Sequence, residues 1–432
     1  DYKASFLATY TLIALAFAML AVVVLVVFPE LISLLYRGMQ VDQVLLYLCI
    51  RAPLLVTQSI ANSALRAEMN IRGALLAENV YRFLIFVAVA LSFLFVRTLF
   101  VADYERWLLG IVLFAYLGSL VATVAFLRSS MAITWRAIRR RFLPSGFWGF
   151  TTSFHVGTLF SFFLESGDQI VIASMLSLES MGYYRAAAAT ALLVRFLPAM
   201  LTNVLYPSFC NLIARGQHDT VSRMYGRSLA ASMLVAAFVA SSILASARWL
   251  LGLFGSPFLQ EAYWPLAILT ICWALTFPFT SVNGTAMISY GHTRANSAIY
   301  GFTAASLLAS ATLLAGRWGV VGVAAAIVLS RVLLAIVTTI FVAGRRGLRL
   351  SSMHVVTLAV VLPTLVAAVV LDAGVRLPGL WVIPVAATAA LLFLLNRSGA
   401  LTFWDLAALL PAHARTRVHP ILKRAALTQE SR

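Results

Sequence analysis

Apolar runs of about 20 residues, separated by short polar intervals, fill this chain from near its first residue to about position 395. Each run is long enough to cross the hydrocarbon core of a bilayer as a helix, which takes roughly 20 residues. Taken in order, the pattern predicts twelve spans, at about 8–28, 44–65, 79–95, 107–127, the two arms of 147–214, 228–250, 263–288, 297–315, 320–343, 353–371 and 379–395. The stretch 147–214 organises the rest. Its two apolar arms flank a break at about 177–182, which predicts a transmembrane helical hairpin. Glu165 and Asp168 lie in the first arm, and Arg185 and Arg195 in the second. A charged side chain near the membrane centre costs at least about 2.5–3.5 kcal/mol on insertion scales. Four of them in one hairpin are expected to face protein or a water-filled cavity.

Composition agrees with a polytopic helical membrane protein. Of the 432 residues 62% are hydrophobic and 11% charged, a balance foreign to soluble globular domains. The net charge of +17 comes almost entirely from Arg, with Lys only at Lys3 and Lys423. The Arg-rich segments 128–142, 215–227, 345–349 and the C-terminal tail carry this charge, and twelve alternating spans put all of them on one side. By the positive-inside rule that side is the cytoplasm, so both visible termini are expected there. Charge scattered between spans, not gathered on a soluble face, argues against nucleic-acid binding. Cys49, Cys210 and Cys272 sit in apolar runs without metal-ligand spacing and are read as packing residues. No metal site is expected.

Spans one to four resemble spans seven to ten. In each set a glycine-containing external loop leads into a Pro-containing span, and a short loop follows in which Arg72 falls opposite Arg294. The two sets share one orientation, which is the signature of a parallel repeat about an axis along the membrane normal. The hairpin 147–214 precedes the second set and nothing precedes the first. With no initiator Met at Asp1, this predicts an N-terminally incomplete chain and fourteen spans in the whole protein. The expected organisation is an N-terminal lobe over 1–127, lacking its first two helices, and a basic interfacial linker over 128–145. A six-helix lobe over 146–344, an appended helix pair over 345–396 and a basic tail over 397–432 follow.

The run Asp168-Gln169-Ile170-Val171-Ile172, followed by Met181-Gly182-Tyr183-Tyr184-Arg185-Ala186, resembles the polysaccharide-transporter (Wzx-type) branch of the multidrug/oligosaccharidyl-lipid/polysaccharide (MOP) flippase superfamily. That branch has an Asp followed by aliphatics, then Gly-x-Tyr-x-x-Ala opening the next helix. Tyr206-Pro207-Ser208, Gly291-His292-Thr293-Arg294 and the run from Trp318-Gly319 to Ala326 fit as well, and the resemblance covers about 5–345. It implies an all-α polytopic fold of two pseudo-symmetric six-helix lobes in a MATE-like V, with a C-terminal helix pair. It also implies a flippase, not an enzyme, in the bacterial inner membrane, where it would serve exopolysaccharide or O-antigen assembly. The cargo would be an undecaprenyl-diphosphate-linked oligosaccharide moved by alternating access. A polysaccharide polymerase and a chain-length regulator would be partners, beside the membrane lipids. No cofactor is expected; coupling to H+ or Na+ stays open.

Such a cargo needs a cationic, hydrated cavity, and Arg suits a diphosphate because its planar fork makes paired hydrogen bonds. The candidates are Arg195, Arg331, Arg51 and Arg82. For Arg51 and Arg82 the competing reading is snorkelling to the interface; for Arg195 it is a structural pair with an acid. Asp168 and Glu165, three apart on one helix face, are candidates for ion coupling or for a fixed salt bridge. His155, Asn203 and Asn283 are read first as hydrogen-bonded packing residues. Alternatives in function are a flippase for the lipid-linked peptidoglycan precursor and an ion-coupled multidrug antiporter. The second is disfavoured by a cavity richer in Arg than in acids. Short loops without a nucleotide-sugar site argue against a glycosyltransferase or polymerase.

Overall fold

The computed structural model describes residues 2–28, 41–67, 104–130 and 143–346, together with isolated positions in 73–87 and at 361, 365, 369 and 386. The described residues are helical, without a strand. In chain order the elements are α1 (Tyr2–Val27), α2 (Val41–Ala67), α3 (Tyr104–Ser130), α4 (Phe147–Met175), α5 (Leu178–Ala191), α6 (Leu193–Ala214), α7 (His218–Ala245), α8 (Ala247–Gly252), α9 (Ser256–Glu261), α10 (Tyr263–Ser289) and α11 (Thr293–Arg346). Six of these, α1, α4, α6, α7, α10 and α11, are long and apolar enough to cross a membrane. The chain is membrane-embedded. The predicted third span with Arg82, except for residues 83, 84 and 87, the linker from 131 to 142, Asp372, the twelfth span except for residue 386 and the basic tail lie outside the described residues. Of the eleventh span, Val361, Leu365 and Val369 are described. They are helical, four residues apart, and pack on the core of the second unit.

The chain divides into two compact units, 1–148 and 149–432. In the first, α2 packs on both α1 and α3. Ala61, Leu65 and Leu127 form its buried cluster, with Leu7, Ala64 and Phe126 against it. α2 runs through Pro53 without a break, and Gln58 Nε2 donates to Ser119 Oγ across to α3.

The second unit centres on α10, which packs on α5, α6, α7 and α11. Two cores lie along it. The larger includes Leu164, Ile172, Tyr184, Leu266, Leu307 and Val323; the smaller includes Phe209, Tyr225, Leu229, Val282 and Met287. α4 lies close to α11 through small residues. Ser297 Oγ on α11 donates to the Ser153 carbonyl of α4, and a Cβ added at Gly301 would stand 2.8 Å from the Phe160 ring. Close helix approach of this kind substitutes for the hydrophobic drive that lipid cannot supply.

Local sequence explains the joints. Ser177 caps α5, its side chain accepting from the Ser180 N–H at 3.1 Å. This Ser is the break of the predicted hairpin. α11 is two arms, because Gly319 adopts φ 56° and ψ −135°, a conformation only glycine enters cheaply. The arms fold back on each other. A Cβ on Gly322 would lie 2.2 Å from the Leu314 carbonyl oxygen, whereas residues eight apart in a straight helix stand about 12 Å apart. This hairpin supplies the ninth and tenth predicted spans.

One sequence expectation needs correction. α7 begins at His218, ten residues before the predicted seventh span, because its first turns are polar but helical and extend beyond the apolar run. Pro265 sits in the first turn of α10, where its missing N–H costs nothing, and the helix runs unbroken through Pro278 to Ser289.

Candidate functional site

Three charged side chains meet in the second unit. From α6, Arg195 donates from Nη1 to Glu165 Oε2 at 2.6 Å and from Nη2 to Glu165 Oε1 at 2.9 Å. This is the two-bond fork that makes Arg–carboxylate pairs strong and directional. From the second arm of α11, Arg331 donates from Nη2 to the Leu164 carbonyl at 2.6 Å and to Glu165 Oε1 at 3.3 Å. One carboxylate of α4 is thus shared between two guanidinium groups.

Below the cluster lies an aromatic floor on α10. The Arg195 Cζ is 4.5 Å from the centre of the Trp273 ring and 4.8 Å from that of Phe277, and the Arg331 Cζ is 4.6 Å from Trp273. Trp273 and Phe277 are four apart, so they share a face, and a guanidinium over an indole gains about 0.5–2 kcal/mol. This floor was not legible in the sequence reading: both residues sit in an unbroken apolar run. The only signal was an aromatic pair at helical spacing in a span that must pack against the charged hairpin.

Exposure divides the cluster. Arg331 is buried at 5% side-chain exposure, while Arg195 is 20% and Glu165 36% exposed. Arg331 Nε has no hydrogen-bond partner among the described residues. Asp168, one turn beyond Glu165, is buried and turns to a different neighbour: the Tyr184 hydroxyl of α5 donates to its Oδ2 at 2.5 Å. Its Oδ1 is without a partner among the described residues.

The cluster lies deep. Glu165 is ten residues from the end of α4, and Trp273 ten from the start of α10, about 15 Å at 1.5 Å per residue. Arg331 is twelve residues from Gly319, about 18 Å. Each of these positions therefore lies well inside its helix, at a distance comparable to half of a ~30 Å hydrocarbon core.

The structure therefore brings together Arg195, Arg331 and Glu165, with Asp168 adjacent. Arg51 belongs to the first unit, where it donates to the Tyr116 hydroxyl at 2.9 and 3.2 Å and sits 5.2 Å from the centre of that ring. Arg82 lies outside the described residues, as does the side chain of Asn203. Arg185 is exposed in the middle of α5, and His155 is exposed on α4, edge to face with Phe154. Asn283 is fully buried and ties three helices: it accepts from the Tyr225 hydroxyl at 2.6 Å and donates to Thr339 at 2.8 Å and Thr338 at 3.3 Å. No group of three or more metal-ligating side chains occurs among the described residues.

Residues 1–259 match the model of a family described as "Polysaccharide biosynthesis protein". The chain belongs to this family, whose type is the MOP flippase. Among solved structures it is similar to one titled "Lipid II flippase MurJ, inward closed conformation", with a TM-score of 0.58 and 14% identity over 92% of this chain and 84% of that one. At that identity the likeness concerns the fold, which is the all-α MOP fold the sequence predicted. No curated protein sequence matches.

Proposed function

We propose that this protein flips an undecaprenyl-diphosphate-linked oligosaccharide between the leaflets of the bacterial inner membrane by alternating access, and that Arg195 and Arg331 receive the diphosphate. The observation that carries the reading is the pair of guanidinium groups held together on the Trp273 floor within membrane-crossing helices, in a chain of the polysaccharide biosynthesis family. Two cations held together in a membrane interior are expensive unless a function retains them. A diphosphate offers each guanidinium a two-oxygen edge, and the buried Arg331 with its unpartnered Nε has donor capacity to spare. The aromatic floor fixes both cations without consuming their N–H donors. The same chemistry suits the diphosphate of a lipid-linked peptidoglycan precursor, so the family match is what favours the oligosaccharide.

The test is leaflet transfer in proteoliposomes carrying undecaprenyl-diphosphate-linked oligosaccharide, scored by enzymatic access to the sugar from outside. Wild type should transfer it, and Arg195→Gln or Arg331→Gln should slow transfer at least tenfold while the purified variants keep their helical content. Transfer of the peptidoglycan precursor alone, or variants as fast as wild type, would overturn the reading. Imposing H+ or Na+ gradients in the same vesicles would show whether either ion drives transport.

A further inference from the structure

We infer that Glu165 is a resident counter-ion that occupies the diphosphate position in the empty protein and must be displaced by cargo, so that it limits affinity and drives release. This inference rests on the assignment of Arg195 and Arg331 above. A carboxylate and a phosphate present the same two-oxygen edge to a guanidinium. Glu165 already fills that edge on Arg195, with both Nη atoms engaged at 2.6 and 2.9 Å, and it reaches Arg331 as well. The Nη1–Nη2 edge of Arg195 cannot hold Glu165 and a phosphate at once in this geometry.

The surroundings suit an exchange. Glu165 is the most exposed member of the cluster, so its carboxylate has a route back to water. Asp168 has none: it is buried and held by Tyr184. The cations are anchored independently of Glu165. Arg331 is fixed by the Leu164 carbonyl and Trp273, and Arg195 rests on Trp273 and Phe277. Removing the carboxylate therefore leaves both guanidinium groups in place and facing the vacated edge. In the empty protein Glu165 neutralises one of the two cations that the membrane interior would otherwise hold uncompensated. In the loaded protein it waits nearby as a competitor, and its return displaces the headgroup. A flippase needs such a competitor, because a two-Arg site without one would hold a diphosphate too tightly to turn over.

The experiment uses the full chain in lipid nanodiscs with undecaprenyl diphosphate as probe, measuring binding and dissociation, beside the transfer assay. Glu165→Gln keeps the shape and removes the charge. It should bind the probe at least fivefold more tightly, mainly through slower dissociation, and should transfer cargo more slowly than wild type. Adding Arg195→Gln to Glu165→Gln should abolish the gain. Glu165→Asp, retracted by one methylene, should fall between, and it carries the test if Glu165→Gln does not fold. If Arg195→Gln weakens binding while both Glu165 variants bind no better than wild type, Glu165 is a structural counter-ion and the inference is wrong. If the probe binds Arg195→Gln and wild type alike, the diphosphate assignment fails first, and the inference with it.

Discussion

Asn283 shows how a single buried polar side chain can fix three helices. Its amide joins Tyr225 of α7 to Thr338 and Thr339 of α11 from the last two turns of α10. Lipid offers no replacement partners, so Asn283→Ala leaves a buried tyrosine hydroxyl without its acceptor. That loss should destabilise the protein by about 1–3 kcal/mol, toward the lower end because unfolded membrane segments find other partners. Adding Tyr225→Phe to Asn283→Ala should cost little more, since both act on one hydrogen bond. Unfolding of purified variants in mixed micelles measures both; additive losses would show that the two side chains act separately. The sequence marked Asn283 as an interhelical hydrogen-bonding residue, and the structure supplies its partners. It marked Glu165 and Asp168 equally, because three residues apart on a helix they share a face. Only tertiary packing separates them, sending Asp168 to Tyr184 and Glu165 to the arginines. The Trp273 floor was invisible for the same reason: an aromatic in an apolar run looks like any core residue until a cation from another helix is laid on it.

At the scale of elements, most of the described helices were legible, because an apolar run of membrane-crossing length has few alternatives to a helix. Their ends were less so, since hydropathy marks where the bilayer ends and not where hydrogen bonding ends, as the early start of α7 shows. The hairpin of α11 was legible as two spans, yet the closeness of its arms was not. That closeness makes a sharp prediction. Gly322→Ala would set a methyl against the Leu314 carbonyl, a backbone atom that cannot step aside, and should cost about 1–3 kcal/mol. Gly316→Ala, on the exposed face with nothing within 4 Å, should be neutral or stabilise by up to about 1 kcal/mol through helix propensity. Thermal unfolding of the two variants side by side decides it. Equal stability would mean that the arms are not packed this tightly at the turn.

For the whole molecule, the span count of the second unit fixes which turns share a side. Gln217, exposed between α6 and α7, and Trp318, exposed beside the Gly319 turn, are separated by α7, α10 and the first arm of α11. α8 and α9 are six residues each, about 9 Å, and too short to cross. Three crossings is an odd number, so the two positions must lie on opposite faces of the membrane. Which face is which follows from charge: Arg215, Arg223 and Arg227 cluster at the Gln217 turn, while Arg317 stands alone beside Trp318. The positive-inside rule then predicts that Gln217 faces the cytoplasm. With Cys49, Cys210 and Cys272 replaced, Gln217→Cys should resist a membrane-impermeant maleimide in intact spheroplasts and react after permeabilisation, whereas Trp318→Cys should react at once. Labelling from the same side would break the three-crossing count and the hairpin at Gly319 with it. Reversed labelling would keep the fold and invert the orientation. The Arg195–Glu165–Arg331 cluster would then keep its place within the helices, because its distance from the helix ends does not depend on which side is the cytoplasm, but the leaflet from which cargo enters would have to be reassigned.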